Sequence, residues 1–266
     1  DHAVRLFDMK ADPEGLATEL RSCTPDVVGI TGFTCEANTM VRLASQVKAA
    51  CGATIVVGGI HASNDPQLFN RPDIDYIVCG LGKKSFAELV ALIDTGAVAT
   101  TPLPAGVYRT TPGKPLPLRR QPSTPADLVD HLPPSYSLVD RYRSHYVIAK
   151  LGLRMGFVAS AFGCPHSCVF CSIGGQTGGR YLTRSPEAVV RDIGLLPDIP
   201  VIRLVDANTF GSVERATALA HAIKAAGLNK QFLADIRSDT VVRHPEMVRW
   251  WKEAGLRAVI IGFEAI

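Results

Sequence analysis

Two periodicities alternate along this chain. Short, continuous apolar runs end in polar residues or glycine, and longer stretches with apolar positions three or four apart follow them. Asp26–Gly32 reads as a buried strand running into a glycine turn. Ala53–Gly59 and Asp75–Gly82 repeat that plan. Between the runs, 36–50 carries Met40, Leu43, Ala44 and Val47 at helical spacing, and 84–93 carries Phe86, Leu89, Val90 and Ile93 as its inward face. Val4–Asp8 reads as a further short strand. Asp12-Pro13 reads as a helix start, with Leu16 and Leu20 on one face. Strands that are apolar throughout, alternating with helices, predict a parallel sheet covered on both faces, with ligands beyond the strands' carboxyl ends.

The pattern breaks over 97–150, where nine prolines from Pro102 to Pro134 interrupt every period. Gly106–Arg109 suggests a short strand, with Thr111-Pro112-Gly113 as its turn. Leu128, Leu132, Tyr136, Leu138, Tyr142, Tyr146 and Ile148 give this connector enough apolar side chains to pack on its neighbours. Alternation then resumes. Strands are expected at 154–160, 201–205, 231–237 and 257–264. Helices are expected to open at Ser185-Pro186-Glu187, to run over 214–226 up to Gly227, and to open again at His244-Pro245-Glu246. Four strands and three helices fit the first units of a parallel barrel, whose chemistry sits at strand carboxyl ends. The polar residues there are Asp206, Asn208, Arg237 and Glu264. Each has a plainer alternative: Arg237 pairs with Asp235 or Asp239, and Asp206 caps the next helix.

Composition narrows the class. A length of 266 residues suits about two domains, and 47% hydrophobic with 20% charged residues gives a well-cored globular chain. A net charge of +3 is too mild to argue for nucleic acid. No apolar run is long enough to span a membrane, and the first residues do not resemble a signal peptide. Seven cysteines, four of them scattered through the first half, argue for a reducing cytoplasm and against a disulfide framework. The chain opens on one strand-like segment and ends inside another, so we expect a longer protein at both ends.

The chemistry concentrates in Gly163-Cys164-Pro165-His166-Ser167-Cys168-Val169-Phe170-Cys171. Three cysteines at CxxxCxxC spacing can fold around one metal centre. A structural zinc site asks for four ligands, and His166 is cramped inside the loop. An electron-transfer cluster asks for a fourth cysteine, and none follows Cys171. This stretch resembles the signature of the radical SAM enzymes, in which an aromatic, here Phe170, precedes the last cysteine. The resemblance implies a four-iron four-sulfur cluster (4Fe-4S) on Cys164, Cys168 and Cys171. Its open iron would bind S-adenosylmethionine (SAM), which one electron cleaves to a 5′-deoxyadenosyl radical. Phe170, Asp206, Asn208, Arg237 and Glu264 would contact SAM, Arg237 through its carboxylate and Glu264 through its amino or ribose end.

The first 96 residues resemble the cobalamin-binding domain that precedes the radical SAM domain in one large subfamily. The likeness lies in Pro25–Gly29, Val57–Ala62 and Asp75–Val78 with Gly80 and Gly82. It implies that Thr31, Gly32, Phe33 and Thr34 approach the corrin, that Gly58, Gly59 and His61 approach the nucleotide tail, and that Gly80 and Gly82 line the same slot. Glycine at such strand ends lets backbone come close to a large flat ligand. The family's acidic residues after the last strand are here Leu81 and Lys83, its first strand would lie upstream of Val4, and no Asp-x-His-x-x-Gly motif offers cobalt a histidine.

The expected architecture is therefore α/β in both halves. A Rossmann-like, flavodoxin-like cobalamin-binding domain (1–96) leads through a connector (97–150) to a partial (β/α)6 radical SAM barrel (151–266). The expected function is a cobalamin-dependent radical SAM methyltransferase acting on an unactivated carbon of a small molecule. A flavodoxin or ferredoxin would supply electrons. A ring-forming cyclase with the same domains and a non-catalytic sensor are the alternatives.

Overall fold

In a computed structural model, residues 2–119, 121–149 and 152–263 are described. The chain forms two compact units. One comprises 12–129 with 166–180, and the other comprises 1–11, 130–165 and 181–266.

The first unit is built on a four-stranded sheet. Helix α1 (Leu16–Cys23) precedes β1 (Val27–Thr31); α2 (Ala37–Cys51) leads to β2 (Thr54–Gly58). Helix α3 (Ile60–Asn64) and β3 (Tyr76–Val78) follow, then α4 (Gly82–Asp94) and β4 (Val107–Arg109). Strand order is β1-β2-β3-β4, parallel through β3, with β4 antiparallel at the edge. Alternate strand residues face opposite ways, and both faces are covered. Ile55, Val57 and Ile77 pack with Met40, Ala44, Val47 and Phe69, whereas Val56, Tyr76 and Val78 pack with Leu89 and Val107. Residues 97–129, read in sequence as connector, belong to this unit and supply its edge strand. A short helix, α5 (Ile173–Thr177), also packs here.

The second unit holds β5 (Val147–Ile148), β6 (Leu153–Val158), β7 (Ala161–Phe162), β8 (Leu182–Thr183) and α6 (Pro186–Gly194). It continues through β9 (Val201–Leu204), α7 (Val213–Ala225), β10 (Gln231–Arg237), α8 (Ser238–Arg243), α9 (Pro245–Glu253) and β11 (Leu256–Gly262). Sheet order is β11-β10-β9-β6-β5, parallel except for β5. Ser185 caps α6 by accepting from the Ala188 N–H at 3.2 Å, with Pro186 in the first turn, as expected. Ile202, Leu204, Phe232, Ala234 and Ile236 meet Val189, Ile193, Leu219, Ile223, Met247 and Trp251 in one core. The Trp251 indole N–H donates to the Ala216 carbonyl at 2.9 Å. Helices cover this one face. Met155, Phe157, Arg203 and Leu233 turn to the other, where a cavity of about 540 Å³ opens. Parallel strands with helices on one face only form an arc of a barrel.

Several expectations need correction. Val4–Asp8 is not a strand: Val4 is 61% exposed, Arg141 donates to the Leu6 carbonyl at 2.8 Å, and Tyr146 donates to Asp8 Oδ2 at 2.7 Å. Those side-chain partners replace a strand ladder. Asp12-Pro13 does not open a helix, because the Asp12 carboxylate takes the Gly15 N–H at 2.9 Å in a local turn and α1 starts at Leu16. Phe86 is exposed; the buried face of α4 runs through Ser85 and Leu89. Leu132 in the connector is exposed too. Helix α8, between β10 and α9, is too short and too polar to show as an amphipathic period.

Candidate functional site

In the first unit the carboxyl ends of β1 and β2 are level, Thr31 pairing with Gly58. Gly59 follows with φ +95°, and a Cβ there would fall 2.5 Å from Thr31 Oγ1 and 3.3 Å from the Gly32 carbonyl oxygen. The buried Ser63 hydroxyl donates to the Gly59 carbonyl at 2.8 Å and accepts from the Gly80 N–H at 2.9 Å. One hydroxyl thus ties the end of β2 to that of β3. Gly80 has φ +91°. Gly58 differs: its Cβ would meet the Val78 carbonyl at an ordinary 3.5 Å. Gly82 opens α4 against Val78.

The Gly32 position is pressed by Glu36 and Met40, and the Glu36 carboxylate accepts from the Phe33 N–H at 2.8 Å. This leaves the Phe33 ring 63% exposed, with Thr31 and Thr34 also exposed. His61 sits in α3, its ring edge-on to Phe69 at 5.8 Å. A cavity of about 300 Å³ in this unit is lined by Gly80, Gly106, Arg119, Gln121, Gly175 and Gln176, among others.

The cysteine loop leaves and rejoins the second unit at the two-residue ladder β7–β8, which sequence patterning missed. Gly163 takes φ +77° and Cys164 follows, partly exposed. Cys168 and Cys171 lie on one turn, closed by the Cys171 N–H donating to the Cys168 carbonyl at 3.0 Å. Phe170 is 67% exposed. Two of the glycines beyond Cys171, Gly175 and Gly178, are positions of close approach, whereas a Cβ on Gly174 or Gly179 would meet nothing within 4 Å. A Cβ on Gly175 would fall 2.1 Å from Asn64 Oδ1, and one on Gly178 would fall 2.7 Å from the Pro122 Cα. Asn64 also donates to the Ser172 carbonyl at 2.9 Å.

Within the second unit, Cys164 is held by a bracket from the carboxyl end of β9. Asp206, 3% exposed, accepts from the backbone N–H groups of Ser160 and Ala161 at 2.7 and 2.9 Å and from the Ser160 hydroxyl. Burial raises its carboxyl above the usual value, against the opposing pull of those donors. Arg184 completes the hold. It donates to the Ala159 carbonyl at 3.0 Å and to Asp130 at 2.6 Å, and pairs with the fully buried Asp192 at 2.8 Å. After Cys164, Pro165 and the Tyr181 ring pack against Gly211, where a Cβ would meet Tyr181 at 2.8 Å and Pro165 at 2.9 Å. The Tyr181 hydroxyl donates to the Asn208 carbonyl at 3.0 Å; burial, with Asp206 and Cys164 nearby, raises its pKa above the usual tyrosine value and keeps it a donor. The Asn208 amide nitrogen lies 3.7 Å from Cys164 Sγ. Asp206 therefore does not cap a helix; Ser212 does that for α7, accepting from the Arg215 N–H at 3.4 Å. Sequence reading missed Arg184, Tyr181 and Gly211.

At the end of β10, Arg237 presents its guanidinium fork to Asp239, at 3.0 and 3.2 Å. Arg203 pairs with Asp235 on the open face of the sheet. Glu264 lies outside the described residues.

Among the described residues no three His, Cys, Asp or Glu side chains are gathered as a metal site. The donor set nonetheless fits an iron–sulfur cluster. None of the three thiols is in a disulfide, none is fully buried, and soft thiolates without a fourth ligand among the described residues suit a cluster with an open iron rather than closed zinc.

Residues 1–90 match the model of the B12 binding domain, and residues 158–266 that of the radical SAM superfamily. The whole chain aligns at 30% identity with an uncharacterized methyltransferase of Pyrococcus horikoshii, covering 58% of it. It aligns at 26% with the hopanoid C-3 methylase of Methylococcus capsulatus, covering 50% of it. The chain thus spans about half the length of these curated relatives. Among solved structures, the radical SAM methyltransferase TsrM of Kitasatospora setae superposes with a TM-score of 0.77 at 22% identity. That match covers 99% of this chain and 54% of TsrM. The cobalamin-dependent radical SAM enzyme OxsB superposes with a TM-score of 0.74 at 17% identity, over 98% of this chain and 38% of OxsB.

Proposed function

This chain belongs to the family that joins a B12-binding domain to a radical SAM domain, and from that premise we propose that it is a cobalamin-dependent radical SAM methyltransferase. When bound, the cluster and cobalamin supply one-electron cleavage of SAM and transfer of a methyl group to an unactivated carbon. The observation that carries the reading is the cysteine loop: three thiols outside any disulfide at CxxxCxxC spacing, on a loop that follows the carboxyl end of a strand in a parallel half-barrel sheet.

In this reading Cys164, Cys168 and Cys171 bind the iron. Gly58, Gly59, Gly80 and Gly82 keep backbone at the first sheet's edge clear for cobalamin, and Thr31, Gly32, Phe33, Thr34 and His61 border it. Arg237 takes the SAM carboxylate; its fork already accommodates the Asp239 carboxylate, for which SAM exchanges charge for charge. Glu264 holds the amino or ribose end of SAM, and Phe170 contacts SAM. Electrons come from a flavodoxin or ferredoxin in a reducing cytoplasm. Methyl transfer is preferred to cyclisation because the relative at 30% identity is named a methyltransferase, whereas the relatives named as cyclases align at 28% or less.

Anaerobically reconstituted chain supplied with cobalamin, a reductant and methyl-labelled SAM tests this. We expect about four irons per chain, retained cobalamin, and release of both 5′-deoxyadenosine and S-adenosylhomocysteine. Iron content that survives replacement of all three cysteines by alanine would overturn the cluster assignment.

A further inference from the structure

Asn208 is expected from its strand-end position to contact SAM, but its geometry points to a cluster ligand. We infer that Asn208 is a positioning residue for Cys164: its amide donates an N–H···S hydrogen bond to the cysteine sulfur, and the 206–211 loop holds that donor still. The inference rests on the cluster proposed above.

Asn208 is 2% exposed, and its Nδ2 stands 3.7 Å from Cys164 Sγ, a hydrogen-bond distance for the large sulfur atom. A thiolate only accepts, so the amide has one attractive orientation, N–H toward sulfur. That choice leaves Asn208 Oδ1 buried without a hydrogen-bond partner among the described residues. A leucine would fill the same space without an orphaned oxygen, so packing does not account for the amide. Its N–H group does.

The supports around it are rigid. Tyr181 holds the Asn208 carbonyl, and the Thr209 N–H donates to the Asp235 carbonyl at 3.3 Å. Phe210, 1% exposed, is locked edge-on against Trp251 at 5.4 Å. Asp206 and Arg184 fix the backbone before Cys164, and Gly211 and Tyr181 pack on the proline after it. Donor and acceptor are thus both placed from one loop. A hydrogen bond to a cluster-ligating sulfur stabilises the more negative, reduced cluster and raises its potential.

The test is an electron paramagnetic resonance redox titration, without SAM, of reconstituted full chain, Asn208→Leu and Asn208→Asp, alongside iron and sulfide analysis. Both variants should keep the cluster. Asn208→Leu should leave about tenfold less cluster reduced at a fixed potential, a fall of about 59 mV for one electron. Asn208→Asp, nearly the same shape, should fall further, because a carboxylate beside the sulfur opposes the added electron. If Asn208→Leu does not fold, the Asp variant alone decides. Identical midpoints in all three proteins would overturn the inference, as would unchanged midpoints with weakened SAM binding, which would return Asn208 to the SAM site. A wild-type chain that takes up no iron would instead overturn the cluster reading beneath it.

Discussion

The two parallel sheets of this chain present their carboxyl ends in opposite ways. The first clears them: Gly58, Gly59 and Gly80 stand where side chains would otherwise project, and one small hydroxyl, from Ser63, does the tying. The second crowds them with Asp206, Asn208, Arg184 and the Arg237–Asp239 pair, most of them buried and all engaged. Cleared ends expose backbone to a broad ligand. Crowded ends aim side chains at a small one and hold a loop in place. The same architecture therefore serves a surface in one unit and a point in the other. It follows that substitutions at the crowded ends should cost stability first, whereas at the cleared ends some should cost only binding.

The largest effect is expected at Arg184. Its side chain is 3% exposed and faces Asp192 at 0%. Arg184→Ala would strip the buried Asp192 of one of its two guanidinium partners, Arg191 keeping the other at 2.7 Å, and would also remove the donor to Asp130 and to the Ala159 carbonyl, together costing about 3–5 kcal/mol. Chemical denaturation of the chain without cofactors measures it. A loss below about 1 kcal/mol would show that Arg184 is not holding the strand end, and the contrast between the sheets would weaken.

Asp206 should come next. Asp206→Ala leaves the Ser160 and Ala161 N–H groups without their acceptor, about 1–3 kcal/mol for each. Asp206→Asn keeps an acceptor and should be far milder, with a particular pH dependence. Burial raises the folded carboxyl above its unfolded value. The native state therefore holds a proton that the unfolded chain has already released. The stability this group contributes is full below the unfolded carboxylate range and is lost as pH rises through the raised folded value. An asparagine cannot lose that proton, so the variant should gain on the wild type from acid to neutral pH. A constant difference between the two across that window would mean that Asp206 titrates normally.

These residues also mark where sequence reading succeeds and where it stops. Local signals were legible: the Ser185-Pro186 cap, the glycine turns after β2 and β3, and the CxxxCxxC spacing each involve neighbours along the chain. Arg184 was not, because Asp130, Asp192 and the Ala159 carbonyl are brought to it only by folding. Val4–Asp8 has the right residues for a strand, but a strand needs a pairing partner, and side chains of the connector take its place. Composition likewise cannot show that Asn64 and Pro122 press on Gly175 and Gly178. Asp206 was visible as polar at a strand end, yet helix cap and loop anchor look alike until its partners are seen.

The smallest change should discriminate best. Gly59 and Gly58 are adjacent, yet their surroundings differ. At Gly59 a side chain meets both a left-handed backbone and Thr31 Oγ1 at 2.5 Å, so Gly59→Ala should cost about 1–3 kcal/mol whether or not cobalamin binds. Loss of cobalamin in that variant would say nothing of the cofactor, because the fold itself is disturbed. Gly58 ends β2 in ordinary strand conformation, and its added methyl meets the Val78 carbonyl at 3.5 Å and the Val78 Cβ at 3.7 Å, both ordinary contacts. Gly58→Ala should change stability by no more than about 0.5 kcal/mol. If the cleared edge exists for the backbone to approach a corrin or its tail, that one methyl stands in the way. Cobalamin retention after gel filtration, followed by visible absorbance, should then fall at least tenfold while the denaturation curve stays in place. Full retention at unchanged stability would mean that Gly58 serves the strand turn alone, and that the cofactor is received elsewhere along the edge.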